Sequence, residues 1–316
     1  MPTSSALLIG LSAVMVAIRD GEPNVLVTRR PSGEGALPFG PFDPVNHRTF
    51  DLSLRGWVRE QTGFELGYVE QLYTFGDKDR ETPEATVVDA PPNAHVISVG
   101  YLALTPEERP VEANFEARWR SWYQYFPWED HRSGRPALID AEIAPRLKTW
   151  AAGNEQRAER ARIAFGLDGA RWIEERVLER YELLYEAGLV AECARDAGLP
   201  EAGIRLGADM TSDHRRILAT GLSRLRSKIK YRPVVFELMP DRFTLTELQR
   251  AVEGILGLVL HTQNFRRALE KTQLVTGTGQ MEPSTGGRPA ELFTYRRHPS
   301  GGFAAPGLAT PRKSAD

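Results

Sequence analysis

The apolar positions of the first hundred residues fall into runs of strand length. Residues 10–19 (GLSAVMVAIR) and 24–30 (NVLVTRR) are two such runs, separated by Asp20-Gly21-Glu22-Pro23. Asp-Gly between apolar runs is a strong hairpin signal. A Gly- and Pro-rich loop, 33–45, follows, and then the period changes. Over 49–62 (TFDLSLRGWVREQT), Phe50, Leu54, Trp57 and Val58 share one helical face and Gly63 suits the helix end. Residues 68–75 (YVEQLYTF) and 95–104 (HVISVGYLAL) return to strand character, with a polar, Pro-bearing loop over 77–93 between them.

Residues 112–200 differ. An aromatic-rich segment, 115–128, precedes two charged helix-forming stretches, 155–166 and 172–188, the second with Val177, Tyr181, Leu184 and Leu189 as its apolar stripe. This block reads as a helical insertion whose aromatics serve a core or a dimer contact before a ligand cage. Residues 211–229 predict a further helix, capped by Asp213 or Ser212 and buried through Ile217, Leu218, Leu222, Leu225 and Ile229. Tyr231-Arg232-Pro233 ends it and marks a domain boundary. From Pro299 the tail is Gly-, Pro- and Ala-rich and reads as disordered.

After Pro233, Thr244-Leu245-Thr246-Glu247 has the spacing of a capping box at the head of an apolar helix that Gly257 breaks. A second helix is predicted over 262–272 (TQNFRRALEKT). Phe265, Ala268 and Leu269 lie on one side of it; Gln263, Asn264, Arg267, Glu270 and Lys271 gather on the other, with Arg266 at the flank. That is the layout of a recognition helix, apolar side on its own core and amide and cationic side toward the major groove. Short strands at 274–276 and 291–295 flank a glycine-rich segment, 277–289, that carries Arg288. A basic hairpin of this kind completes a winged helix-turn-helix. Thr262, Gln263, Asn264, Arg266, Arg267, Lys271, Arg288 and Arg296 are the candidate DNA contacts.

Charge sharpens the division. The net charge of −2 hides a basic segment, 214–297, with 15 Lys and Arg against 7 Asp and Glu, behind an acidic body, 1–213, with 23 against 34. A basic third suits a polyanionic partner, or simply a solvated cationic face. No apolar run approaches the ~18 residues of a membrane span. The single cysteine, Cys193, excludes an internal disulfide or thiolate cluster, and with no basic export leader at the start the expectation is a cytoplasmic protein.

The surroundings of residues 37–64 resemble the Nudix box, G-x5-E-x7-R-E-U-x-E-E-x-G-U with U aliphatic, whose helix carries carboxylates for a divalent metal. Leu37-Pro38-Phe39-Gly40 resembles its entry and Glu60-Gln61-Thr62-Gly63-Phe64 its exit. The contents depart from it: the R-E pair falls on Gly56 and Trp57, the E-E pair on Glu60 and Gln61, the first Glu on Asn46. Only Glu60 remains, with Asp43 and Asp51 nearby as substitutes. A hard cation wants several oxygens, so no metal site and no catalytic residue are expected.

Together, 67–77 (GYVEQLYTFGD), 224–233 (RLRSKIKYRP), 243–248 (FTLTEL), Asn264-Phe265-Arg266-Arg267 and Gly287-Arg288-Pro289-Ala290 are similar to the Nudix-related transcriptional regulators of NAD metabolism, the NrtR and NadQ groups. The block 112–200 and the degenerate box resemble the NadQ group more. The resemblance implies an α+β chain: a Nudix-like α/β/α sandwich domain over 1–232 with a helical insertion at about 112–200, a winged helix-turn-helix domain over 233–298, and the tail 299–316. It implies a homodimeric repressor of NAD biosynthesis genes that binds palindromic double-stranded operator DNA and is gated by a nucleotide effector, NAD, ATP or ADP-ribose. It places that effector near Arg29 or Arg30, Gln71, Tyr73, Phe75 and Asp77, although sheet core is an equal reading for Tyr73 and Phe75. Two other readings stand beside it: an active Nudix hydrolase of ADP-ribose or NAD that uses Glu60, with an appended interaction domain, and a nucleotide sensor acting through protein contacts of the helical block.

Overall fold

The computed structural model describes residues 7–29, 35–77, 94–106, 116–199, 204, 206–282 and 289–296. The Asp-Gly turn joins β1 (Leu7–Arg19) and β2 (Glu22–Arg29) as an antiparallel hairpin, Arg19 opposite Glu22. Asp20 and Gly21 both take positive φ, 51° and 79°, as the turn chemistry requires. Short strands β3 (Gly35–Ala36) and β4 (Phe39–Pro41) pair with β2 and β1. Helix α1 (Phe50–Thr62) follows, with Thr49 accepting from the Leu52 amide at its start. Strands β5 (Tyr68–Phe75) and β6 (His95–Leu104) complete one side of the sheet, β6 running parallel to β1.

The aromatic segment opens not with a helix but with β7 (Ala117–Ser121), which pairs antiparallel with β2 along its outer edge. Seven strands therefore make one mixed sheet along the path β3-β2-β1-β6-β5. After β7 come two short 3-10 turns, Trp122–Gln124 and Pro127–Glu129. A π-type turn, Ile139–Ile143, leads into α2 (Ala144–Trp150), and α3 (Glu155–Phe165), α4 (Val177–Glu186) and α5 (Ala191–Asp196) follow. The helix expected over 172–188 starts later, at Val177. Ahead of it the chain makes a turn in which the Ile173 carbonyl accepts from the Arg176 amide (3.2 Å), and the Ile173 and Glu174 carbonyls also accept from the Arg180 guanidinium.

Helix α6 (His214–Ile229) is shorter than predicted, because Ser212 sits in the left-handed region (φ 47°) and no side chain caps the start. The Asp213 carboxylate bonds Arg216 instead. Alternation along β1 assigns the two faces of the sheet. Leu11, Ala13 and Met15 meet Leu54 and Val58 of α1, while Val14 and Val16 join the core of Ile217, Leu218 and Leu222 of α6. Helices on both faces explain why β1 reads as a continuous apolar run. This is the α/β/α layering of the expected sandwich.

After a 3-10 turn (Val234–Leu238) come β8 (Phe243–Thr244), α7 (Leu245–Leu256), α8 (Thr262–Thr272), β9 (Val275–Glu282) and β10 (Ala290–Tyr295), with β8-β10-β9 as a three-stranded sheet. The apolar core does not stop at Pro233: Leu248, Val252, Ile255 and Leu269 belong to the same cluster as Val14 and Trp122. Gly254 lets α7 lie directly on the β1–β2 turn, where a Cβ would come within 2.0 Å of the Gly21 carbonyl oxygen. Nearby, the Tyr123 hydroxyl donates to the Gly254 carbonyl (2.6 Å) and the His131 amide to that of Gly257 (2.8 Å).

Under this contact lies a wholly buried carboxylate. Glu129 receives Arg180 from α4 (Nε–Oε1 2.5 Å) and Arg226 from α6 (Nη1–Oε2 2.6 Å), all three side chains fully inaccessible. Arg226 also donates to the Ile255 carbonyl (2.8 Å) at the end of α7. Burial alone would raise the Glu129 carboxyl, but the two guanidiniums hold it below its usual value. A depressed carboxyl contributes stability that is present above its unfolded value of about 4.5 and lost as pH falls through the folded value. Removing the anion strands two buried cations, a loss of about 3–5 kcal/mol. Glu129→Gln is expected to lower the neutral-pH melting temperature sharply and to make the acid limb of stability against pH shallower than in the parent. Thermal unfolding from pH 3 to 8 reads both.

Candidate functional site

The C-terminal helix pair is built from local chemistry. Thr244 Oγ1 accepts from the Glu247 amide (3.1 Å) and Glu247 Oε2 accepts from the Thr244 amide (2.7 Å), a reciprocal box that starts α7. Gly257, at φ 69°, ends it. On α8 only Phe265 and Leu269 are buried. Thr262, Gln263, Arg266, Arg267 and Lys271 are exposed and Asn264 half-buried. Thr262 Oγ1 also accepts from Gln249 of α7 (3.3 Å), which fixes the start of the second helix against the first. The outward surface of α8 thus presents two guanidiniums, one ammonium, two amides and the single carboxylate of Glu270.

The hairpin beside it is longer than predicted. Strand β9 runs on through Gly277 and Gly279 to Glu282, where a loop was expected. Arg296 is exposed at the base of the hairpin, its Nε on Thr276 Oγ1 (3.1 Å). Arg288 lies outside the described residues.

The residues expected at the effector site do not form one cluster. Phe75 is a core residue, 2% exposed, beneath the Arg216 guanidinium. Tyr73, 62% exposed, points outward with its ring edge-on to Phe75 at 5.4 Å, and Gln71 is exposed on the same strand. Asp77 is ion-paired with Arg216, which Glu182 and Asp213 also neutralise. Arg29 ends β2 on the far side of β1 and β6, with its side chain not described, and Arg30 lies outside the described residues.

That far side holds a cleft of about 510 Å³, lined among others by Thr28, Arg118, Arg120, Gln124, Tyr125 and Asp209. Burial raises the Tyr125 phenol above its ordinary value, against the pull of the Arg120 and Arg215 charges, so it stays a neutral hydroxyl. This cleft was not legible in the sequence because its residues come from four separate segments. The alternation of Arg118 and Arg120 on a strand was the only available sign.

The Nudix fold implies a divalent metal beside α1, and the residues here do not fit one. Trp57 lies flat on Gly40, where a Cβ would come within 2.3 Å of its ring, and its indole N–H donates to the Pro41 carbonyl (2.8 Å). Gln61 brackets Phe39, accepting from its amide (3.1 Å) and donating to its carbonyl (2.5 Å). Two positions that would carry carboxylates are therefore tied to β4. Glu60 is exposed, Asp51 pairs with Arg55 (2.8 Å) and Asp43 turns back onto the amides of its own loop. Among the described residues no group of three or more His, Cys, Asp or Glu could hold a metal ion.

Residues 235–295 match the family described as the NrtR DNA-binding winged helix domain. The C-terminal segment is thus similar to an NrtR-type winged helix. A repressor of Acinetobacter baylyi described as ADPR-responsive, NtrR, is 39% identical over 90 residues, 28% of this chain and 36% of its own length. The match therefore spans about a third of that relative. The crystal structure of Shewanella oneidensis NrtR with a 27mer DNA is similar over 91% of this chain and 93% of its own, at TM-score 0.54 and 19% identity. A MutT/nudix family protein from Enterococcus faecalis is similar over 94% and 89%, at TM-score 0.52 and 16% identity. At these identities the two structures speak for the fold: a Nudix-like body carrying the NrtR-type winged helix. Among the described residues no helix is long and apolar enough to cross a membrane.

The Trp57–Gly40 contact is a test of the body's packing. Gly40→Ala must displace the indole and break its bond to Pro41, and overpacking of this kind costs about 1–3 kcal/mol. The variant should unfold at lower denaturant with an unchanged slope, as read by intrinsic fluorescence.

Proposed function

We propose that this chain is a transcriptional repressor that binds palindromic operator DNA as a homodimer and is gated by a nucleotide held in a non-catalytic Nudix-like body. ADP-ribose is the first candidate effector, with NAD and ATP as the others, and genes of NAD biosynthesis are the expected targets in the cytoplasm. The observation that carries this reading is the exposed cationic and amide face of α8, set on a buried Phe265–Leu269 spine within a domain of the NrtR DNA-binding type. The description of the Acinetobacter relative as an ADPR-responsive repressor supports the choice of effector. The Trp57 and Gln61 contacts with β4 support a non-enzymatic role, because they fill positions where a diphosphate-cleaving site needs carboxylates.

Gating requires that the effector prefer one arrangement of the DNA-binding module over another. Helix α6 is suited to carry that preference. Arg215 near its start grips the Tyr125 and Leu206 carbonyls at the cleft, and Arg226 grips Ile255 and Glu129 under the winged helix. Eleven residues are three turns, so both guanidiniums leave the same side of the helix, about 16 Å apart along its axis. Both are buried, at 1% and 0% exposure.

Two outcomes follow. Arg267→Ala should weaken operator binding about 10–100-fold, the 1–3 kcal/mol of a base contact, with an unchanged melting temperature because the side chain is exposed. An unaltered anisotropy titration would remove α8 from the interface. ADP-ribose incubated with the protein and Mg²⁺ or Mn²⁺ should be recovered intact by chromatography; AMP formed above background would contradict the non-enzymatic reading.

A further inference from the structure

We infer that the cleft between β2, β7 and residues 208–209 is the binding site for the diphosphate of a nucleoside diphosphate sugar, with Arg118 and Arg120 as its cations. This deepens the proposed function and rests on its nucleotide-gated reading. The two arginines alternate on β7, opposite Val27 and Val25 of β2, so both side chains leave the same face of the sheet. Both are exposed, and neither holds an ion pair or hydrogen bond among the described residues. Most other arginines of the body are committed: Arg132 to Glu22 and Asp130, Arg160 to Glu186, Arg195 to Asp196, Arg216 to Asp77, Glu182 and Asp213. Two unpaired guanidiniums two residues apart on a strand form a fork for a dianion.

The rest of the lining suits the groups that flank a diphosphate. Glu116 and Asp209 offer carboxylates that can accept from sugar hydroxyls, and Gln124 and Thr28 offer neutral polar groups. The volume, about 510 Å³, lies within the usual range for a small-molecule site. The wall is held firmly in advance. The Ala208 amide donates to the Gln124 carbonyl (2.7 Å), the Thr211 amide to that of Gly35 (3.0 Å), and Arg215 reaches the Tyr125 carbonyl from beneath (3.1 Å). A preorganised wall lowers the cost of ordering a ligand.

Two other places are less suited to a diphosphate. At the β5 edge around Tyr73 and Asp77, the guanidinium that the described residues place beside Asp77, Arg216, is already matched by three carboxylates. The hollow of about 1010 Å³ between α2 and α3 is walled by alanines, and its arginines, Arg135 and Arg162, are paired with Asp140 and Glu159.

The test is isothermal titration of ADP-ribose into the full chain, for the parent, the double variant Arg118→Ala/Arg120→Ala, and Tyr73→Ala. Both arginines are exposed and unpaired among the described residues, and an unchanged melting temperature without ligand verifies that the double variant is folded. Loss of two charge-assisted contacts should weaken binding about 30-fold or more, with operator binding in the absence of ligand preserved and Tyr73→Ala close to the parent. Affinity of the double variant within about twofold of the parent overturns this site and leaves nucleotide gating standing. Failure of the parent to bind ADP-ribose, NAD or ATP overturns the nucleotide reading itself, and this site with it.

Discussion

One buried carboxylate holds the parts of this molecule in a fixed relation. Glu129 lies in a 3-10 turn after the edge strand, yet it meets an arginine from the helical layer and another from α6. An isolated ion at that depth would be prohibitive, and the arrangement is tolerable only because both charges of its partners are used. Arg226 then spends its remaining donors on the carbonyls of Ile255, Glu174 and Glu129. The last turn of the first winged-helix element is thereby fastened to the body through polar bonds, with Leu248, Val252 and Ile255 adding the apolar share of the same core. Polar contacts fix geometry more narrowly than apolar ones because they demand distance and angle together.

This seat changes what the winged helix can do. A module on a free linker would sample many orientations, and a ligand in the body could alter DNA affinity only by steric block. Here α6 links the wall of the cationic cleft to the seat of α7. A small displacement at Tyr125 or Leu206 has a direct mechanical route to Ile255. The Trp57 and Gln61 contacts with β4 belong to the same picture. The Trp57 and Gln61 side of α1 packs on β4, and the polar cleft lies on the opposite face of the sheet, beside the helix that reaches the winged helix.

Local features were the legible ones. The Asp20-Gly21 hairpin, the Thr244–Glu247 box, the Gly257 stop and the bounds of α8 all follow from interactions within a few residues, so the residues that make them stand close in sequence. The alternating burial of β1 was hidden because both its faces are covered. Strand β7 was missed because an edge strand with Arg118 and Arg120 facing solvent lacks an apolar alternation strong enough to stand out among aromatics. Glu129, one residue past that run, carries no local mark of its burial. Its partners are 51 and 97 residues away, and no local pattern announces a pairing of that span. The start of α4 was misplaced because the residues ahead of it form a turn onto which Arg180 folds back, a contact that no local pattern announces. Phe75 shows the limit of transferred expectations: an aromatic on a strand can stack on a base or fill a core, and only the packing of α6 over the sheet places it in the core.

The most direct measurement of the central claim is hydrogen exchange of the full chain with and without saturating ADP-ribose. Coupling through α6 predicts altered amide exchange not only around 118–125 and 206–211 but also at 129–131 and 255–257, beneath the winged helix. Changes confined to the cleft, accompanied by an undiminished shift in operator affinity, would contradict it.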